Sequence, residues 1–316
     1  MPAQKRSSPT LAVAFVVSAI AAPTVSAQVT ASDSLVKYWI DPAATDSSIK
    51  RFDYPQYVVF ERRVKASAPL LVFLPGTDGR PANTTDFANA AARQGYRAIG
   101  LSYNDVPAVA QLCPRDPDPR CADKVRQKRI FGDDVTRLID DRKEESIVNR
   151  LVKLIETLQR EHPDDRWDVY LENGKPKWDR IAVSGLSQGA AMAAYIAQKN
   201  QVARVVLFSS PWDNYGRQQT LSHWVTLGAG ATPSDRWYAS YHRSEPMAPV
   251  VARAYSALRI PSDHIRVFTL EPPRANAKGE MPYHPSGVGN GATPRLPDGT
   301  PAYLDAWQFM LGDMRP

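Results

Sequence analysis

Between Arg180 and Gln198 the chain reads RIAVSGLSQGAAMAAYIAQ, and Ser187 in its middle is the residue best placed to do chemistry. An apolar run ends at Ser184, Gly185-Leu186-Ser187-Gln188-Gly189 makes a turn, and an alanine-rich stretch follows. A serine in a G-x-S-x-G turn between strand and helix exposes its hydroxyl, while the glycines keep strand and helix from clashing. Ala190, Ala191, Ala193 and Ala194 let that helix lie close to a sheet. At a helix N-terminus Ser187 also meets the positive end of the helix dipole, which favours an oxyanion. The chemistry implied is nucleophilic acyl transfer. The alternative is a plain turn with a capping serine, and without its strand and helix the pattern is weak. Ser184 reads as an ordinary strand-end residue.

The elements that must position Ser187 follow from periodicity. Short apolar, β-branched runs alternate with longer segments of helical period, which predicts an α/β fold with a mainly parallel sheet flanked by helices. Strands are expected at 57–60, 70–74, 97–102, 180–184, 204–208, 237–241 and 265–270. Helices are expected at 86–94, 188–198, 246–258 and 303–311, and a further one runs through Ile147, Leu151, Leu154, Ile155 and Leu158, spaced to make one apolar face. Two segments interrupt the rhythm, 104–132 and the proline- and glycine-rich 271–300, the latter far longer than the usual connection of about 4 to 6 residues. His284 sits in the middle of the second.

Composition narrows the setting. Lys5 and Arg6 precede an apolar run over 11–22, Pro23 breaks it, and Val25-Ser26-Ala27 supplies small residues for cleavage, so residues 1–27 read as a signal peptide. The apolar run is shorter than the roughly 20 residues that span a bilayer, so no stable membrane anchor is expected, and the protein is expected to be periplasmic or secreted. Of 316 residues the leader leaves 289, enough for a single α/β domain over 28–316. The formal charge of +6 falls to +4 without Lys5 and Arg6. The densest basic run, KVRQKR at 124–129, is followed by the acidic DDVTRLIDDRKEE and reads as solvated surface, with no nucleic-acid footprint. Cys113 and Cys121, the only cysteines, read as a disulfide closing a short surface loop. No metal site and no organic cofactor is expected.

The order of parts resembles the α/β-hydrolase superfamily over residues 57–311. The GLSQG turn is similar to that of many carboxylesterases and feruloyl-type esterases, and the chain resembles exported bacterial hydrolases of uncertain substrate. The resemblance implies an oxyanion hole from the backbone of Gln188 and of Thr77, the latter in PGTDG after the strand at 70–74, where many relatives carry a His-Gly-Gly-Gly loop. It implies the order nucleophile, acid, histidine. His284 follows the last strand and is the expected general base, with His242 its rival by position; His162 is expected to be solvated. Glu245, after the strand at 237–241, is the expected acid, and Asp213, one strand earlier, is the alternative. Trp212, Tyr215 and Trp224 fall where relatives insert a lid, here about 211–235, and are candidates for a substrate pocket or for the core.

These expectations describe a serine esterase acting on a small-molecule or polysaccharide-linked ester. An acyltransferase would use the same Ser187, a peptidase the same mechanism, and a binding module would keep the fold without catalysis. Neither the ester nor the oligomeric state is legible in the sequence.

Overall fold

The computed structural model describes residues 34–216, 218–273 and 281–315; the expected signal peptide lies outside them. Eight strands form one sheet: β1 (Leu35–Ile40), β2 (Gln56–Glu61), β3 (Leu70–Leu74), β4 (Arg97–Gly100), β5 (Ile181–Leu186), β6 (Arg204–Phe208), β7 (Trp237–His242) and β8 (Ile265–Phe268). Their spatial order is β1-β2-β4-β3-β5-β6-β7-β8. Only β2 runs against its neighbours, pairing antiparallel with β1 and β4, and every pairing from β4 through β8 is parallel.

The parallel strands are covered on both faces, so they are apolar throughout rather than alternating with polar residues. Leu70, Val72 and Leu74 face one core layer and Leu71 and Phe73 the other. The first layer is closed by helices α2 (Cys121–Phe131), α3 (Ile147–Glu161), α4 (Gln188–Lys199) and α5 (Ala248–Ala257); the second by α1 (Thr85–Arg93) and α6 (Leu304–Leu311). Phe87 of α1 fixes the second layer, meeting Phe73, Phe208 and Trp307 at ring-centroid distances of 5.6, 5.0 and 5.7 Å. Ser146 caps α3 by accepting from the Asn149 amide at 3.3 Å, a contact worth about 1 kcal/mol.

Three sequence expectations are corrected. The segment 104–132 is no mere interruption, because it contains α2, and β1 adds an edge strand that the seven expected strands omit. The basic run is not solvated surface: Arg126 and Arg129 are 1 % exposed, paired with Asp213 and Asp141, and Lys128 reaches Asp134. The expected Cys113–Cys121 disulfide is present and closes a surface loop, residues 114–120 being exposed or half-buried, while the two cysteines themselves are buried in the core. Among the described residues no helix is long and apolar enough to cross a membrane.

Candidate active site

Ser187 stands between β5 and α4 with φ 55° and ψ −121°, a conformation that a non-glycine residue adopts only when its surroundings impose it. Its amide donates to Phe208 O at 3.0 Å, fastening the turn to β6. The elbow is tight because α4 lies directly on β3: a Cβ on Gly189 would come within 2.0 Å of Leu74 O. Behind it, Ser184 Oγ donates to Val206 O at 2.7 Å, so that hydroxyl is spent within the sheet. Ser187 is 8 % exposed.

His284 and Glu245 come from loops beyond β8 and β7 and meet at 2.7 Å between Nδ1 and Oε2. Glu245 is held from its other oxygen, where Oε1 accepts from Ser209 Oγ at 2.6 Å and from the His242 amide at 2.7 Å. A carboxylate so arranged accepts a hydrogen bond from the imidazole, which puts the proton of the neutral ring on Nδ1 and leaves the Nε2 lone pair free. His284 Nε2 is buried and has no hydrogen-bond partner among the described residues. The indole of Trp212 covers the ring, with centroids 5.0 Å apart and planes 7° from parallel.

The remaining histidines are engaged elsewhere. His242 is 1 % exposed, with Nδ1 accepting from the Ser244 amide at 3.1 Å and Nε2 facing Leu270 O at 3.1 Å, so neither ring nitrogen is left for a nucleophile. His223 pairs with Asp123, His264 faces Trp237 O, and His162, expected to be solvated, stacks on Tyr38 at 4.4 Å. Asp213, the alternative acid, does not meet His284. Its carboxylate takes two hydrogen bonds from Arg126, at 2.6 and 2.5 Å, and one from Trp224 Nε1 at 2.8 Å. Trp224 is fully buried against Tyr195 and is therefore a core residue rather than a pocket wall. Tyr215 is half-buried in a short hairpin with Thr220. The segment 211–235 is tied down through Asp213 and through the His223 amide, which donates to Pro119 O at 3.0 Å.

Thr77 and Gln188 present backbone N–H groups that donate to no acceptor among the described residues. Their loops meet because Gly76 lacks a side chain; a Cβ there would lie 3.2 Å from Ser187 Cβ. Thr77 lines a cavity of about 820 Å³ whose walls include Gly79, Leu186, Met281 and Pro285. Sequence reasoning missed Ser209, which buttresses Glu245, and Asp105, whose carboxyl accepts from the Asp78 amide. A positive φ of 56° at Ser209 and complete burial of Asp105 mark both residues, and neither signal exists before folding.

No protein-family model matches the chain, and no curated protein matches it. Among solved structures it is similar to a mutant of esterase E40, with TM-score 0.47 at 11% identity, over 91% of this chain and 87% of that one. It is also similar to an S-formylglutathione hydrolase from Agrobacterium tumefaciens, TM-score 0.44 at 12% identity, over 78% and 88% of the two chains. Esterase B from Lactobacillus rhamnosis gives 0.43 at 12% identity, over 75% of each. The sheet order, the single inverted inner strand and the Gly-x-Ser-x-Gly turn from β5 into α4 give this chain the α/β-hydrolase fold.

Proposed function

We propose that the protein is a serine hydrolase that cleaves carboxylic esters through an acyl-enzyme on Ser187. The observation that carries this reading is His284, whose Nδ1 is bound to Glu245 at 2.7 Å while its buried Nε2 is left without a partner. In the proposed reaction Ser187 Oγ attacks the ester carbonyl carbon and His284 Nε2 takes the hydroxyl proton. The negative charge that develops on the carbonyl oxygen is met by the N–H groups of Thr77 and Gln188, the second at the N-terminus of α4 where the helix dipole adds to it. Collapse breaks the bond to the alcohol oxygen, which leaves with the proton from His284. Water, deprotonated at the same Nε2, then attacks the acyl-enzyme and releases the acid and the free serine. Glu245 holds the ring in its productive tautomer and stabilises the imidazolium.

The cavity beside Thr77 supports a small-molecule or polysaccharide-linked ester as substrate, its walls being largely apolar with Asp78 the one charged side chain among the described lining residues. A periplasmic or secreted location rests on residues 1–27 and is supported by the Cys113–Cys121 disulfide, a bond that persists in oxidising compartments.

The test is labelling by a fluorophosphonate and turnover of short-chain aryl esters, beside Ser187→Ala. Labelling and turnover are expected in the wild type and absent in the variant, with kcat down by about a millionfold. A folded wild type that neither labels nor turns over, or turnover that survives in Ser187→Ala, overturns the reading.

A further inference from the structure

The two backbone donors proposed to hold the oxyanion come from separate parts of the chain, the loop after β3 and the start of α4. The segment after β4 joins them. Tyr103 Oη donates to Pro75 O at 2.9 Å, and Asp105 Oδ1 accepts from the Asp78 amide at 3.1 Å. On its other side, Asp105 O accepts from Gln188 Nε2 at 2.9 Å and the Val109 amide donates to Gln188 Oε1 at 3.0 Å. Asp105 therefore grips the peptide unit next to Thr77 with its side chain and the side chain of Gln188 with its carbonyl.

The junction is itself anchored. Arg129 of α2 donates from Nη1 to Pro107 O at 3.0 Å while pairing through Nε with Asp141 at 2.8 Å. Asp105 has no exposed surface, and its Oδ2 has no hydrogen-bond partner among the described residues. Burial pushes its carboxyl up to about 7, opposed by the hydrogen bond from Asp78 and by Arg129, with Asp78 itself acting in the same upward direction. A half-satisfied buried carboxyl is costly, and packing alone would favour an apolar residue at this position.

We propose that Asp105 is a positioning residue that sets the separation and direction of the Thr77 and Gln188 N–H groups so that both reach one oxyanion. The proposal rests on the serine-hydrolase reading above. Because these donors bind charge that develops only in the transition state, misplacing them lowers kcat and leaves KM largely alone.

The experiment measures kcat and KM on an aryl ester, with thermal unfolding of each chain, for wild type, Asp105→Leu, Asp105→Asn, Gln188→Met and Ser187→Ala. Asp105→Leu removes the acceptor and is expected to lower kcat about tenfold or more with KM within about threefold. Asp105→Asn keeps a carbonyl acceptor for the Asp78 amide and is expected to hold kcat within about threefold of wild type. Gln188→Met cuts the junction from the other side while leaving the backbone N–H in place, and is expected to follow the leucine variant. A folded Asp105→Leu chain with wild-type kcat, a loss carried by KM alone, or an asparagine variant as impaired as leucine overturns the proposal. Should Asp105→Leu not fold, wild-type kcat in Gln188→Met overturns it. Wild-type turnover that persists in Ser187→Ala overturns instead the reading on which the proposal rests.

Discussion

The indole of Trp212 lies flat on the imidazole of His284, the two planes within 7° of parallel at a centroid separation of 5.0 Å. Trp212 falls in the stretch where an inserted lid is expected, yet its ring faces His284, the histidine that the proposed mechanism needs to keep still. The stack restrains the plane of the ring and would offer a π-face to the imidazolium of the proposed mechanism. Trp212→Leu should lower kcat/KM on an aryl ester about tenfold, the scale of an aromatic pair worth about 0.5 to 1.5 kcal/mol, and Trp212→Phe should recover most of the loss. Equal activity in the leucine and phenylalanine variants would show that stacking is not what matters.

The two carboxylates that compete for the acid's place in the sequence should separate by the kind of damage they cause. Glu245→Gln leaves His284 beside an amide and favours the wrong tautomer, so kcat should fall by about ten-thousandfold with little change in unfolding temperature. Asp213→Asn breaks a pair in which both side chains are 1 % exposed. Losing one charge of a buried pair typically costs about 3 to 5 kcal/mol, so this variant should melt well below wild type while any folded fraction turns over substrate normally. Steady-state kinetics paired with urea unfolding would distinguish them, and a reversal of the two phenotypes would make Asp213 the acid.

Asp105 predicts a pH dependence of stability whose sign is fixed by its raised carboxyl, about 7 against an ordinary 3.8. The folded chain holds this proton more tightly than the unfolded one, so the contribution is fully present below about pH 4 and is lost as pH rises toward 7. Three pKa units correspond to a swing on the order of 4 kcal/mol. Asparagine cannot titrate. The unfolding free energy of Asp105→Asn relative to wild type should therefore rise between pH 4.5 and pH 8 and level off above it. A difference that stays flat across that range in urea titrations would mean that Asp105 titrates as an ordinary carboxyl.

Local patterns in the chain carried a good part of the site. Ser187 was legible because an elbow is a local object: strand, glycine-flanked turn and small-residue helix are contiguous, and their steric needs are written within nineteen residues. Continuous apolar, β-branched runs likewise located β3 and β6, and apolar residues three or four apart located α3. Periodicity failed for α2, where Arg126, Lys128 and Arg129 fall on positions that turn out to be buried, because the acidic partners that permit this lie elsewhere in the chain.

By itself, then, the sequence determined the alternation of strands and helices and the strained turn at Ser187, since these depend on neighbours a few residues away. The tertiary structure alone decided that Glu245 rather than Asp213 meets His284, that Trp212 covers the ring while Trp224 enters the core, and that Asp105 joins the two donor loops. Each of those outcomes depends on which side chains the fold brings together across tens of residues. Asp213 is 87 residues from the arginine that claims it, a distance over which spacing in the chain says nothing about proximity in space.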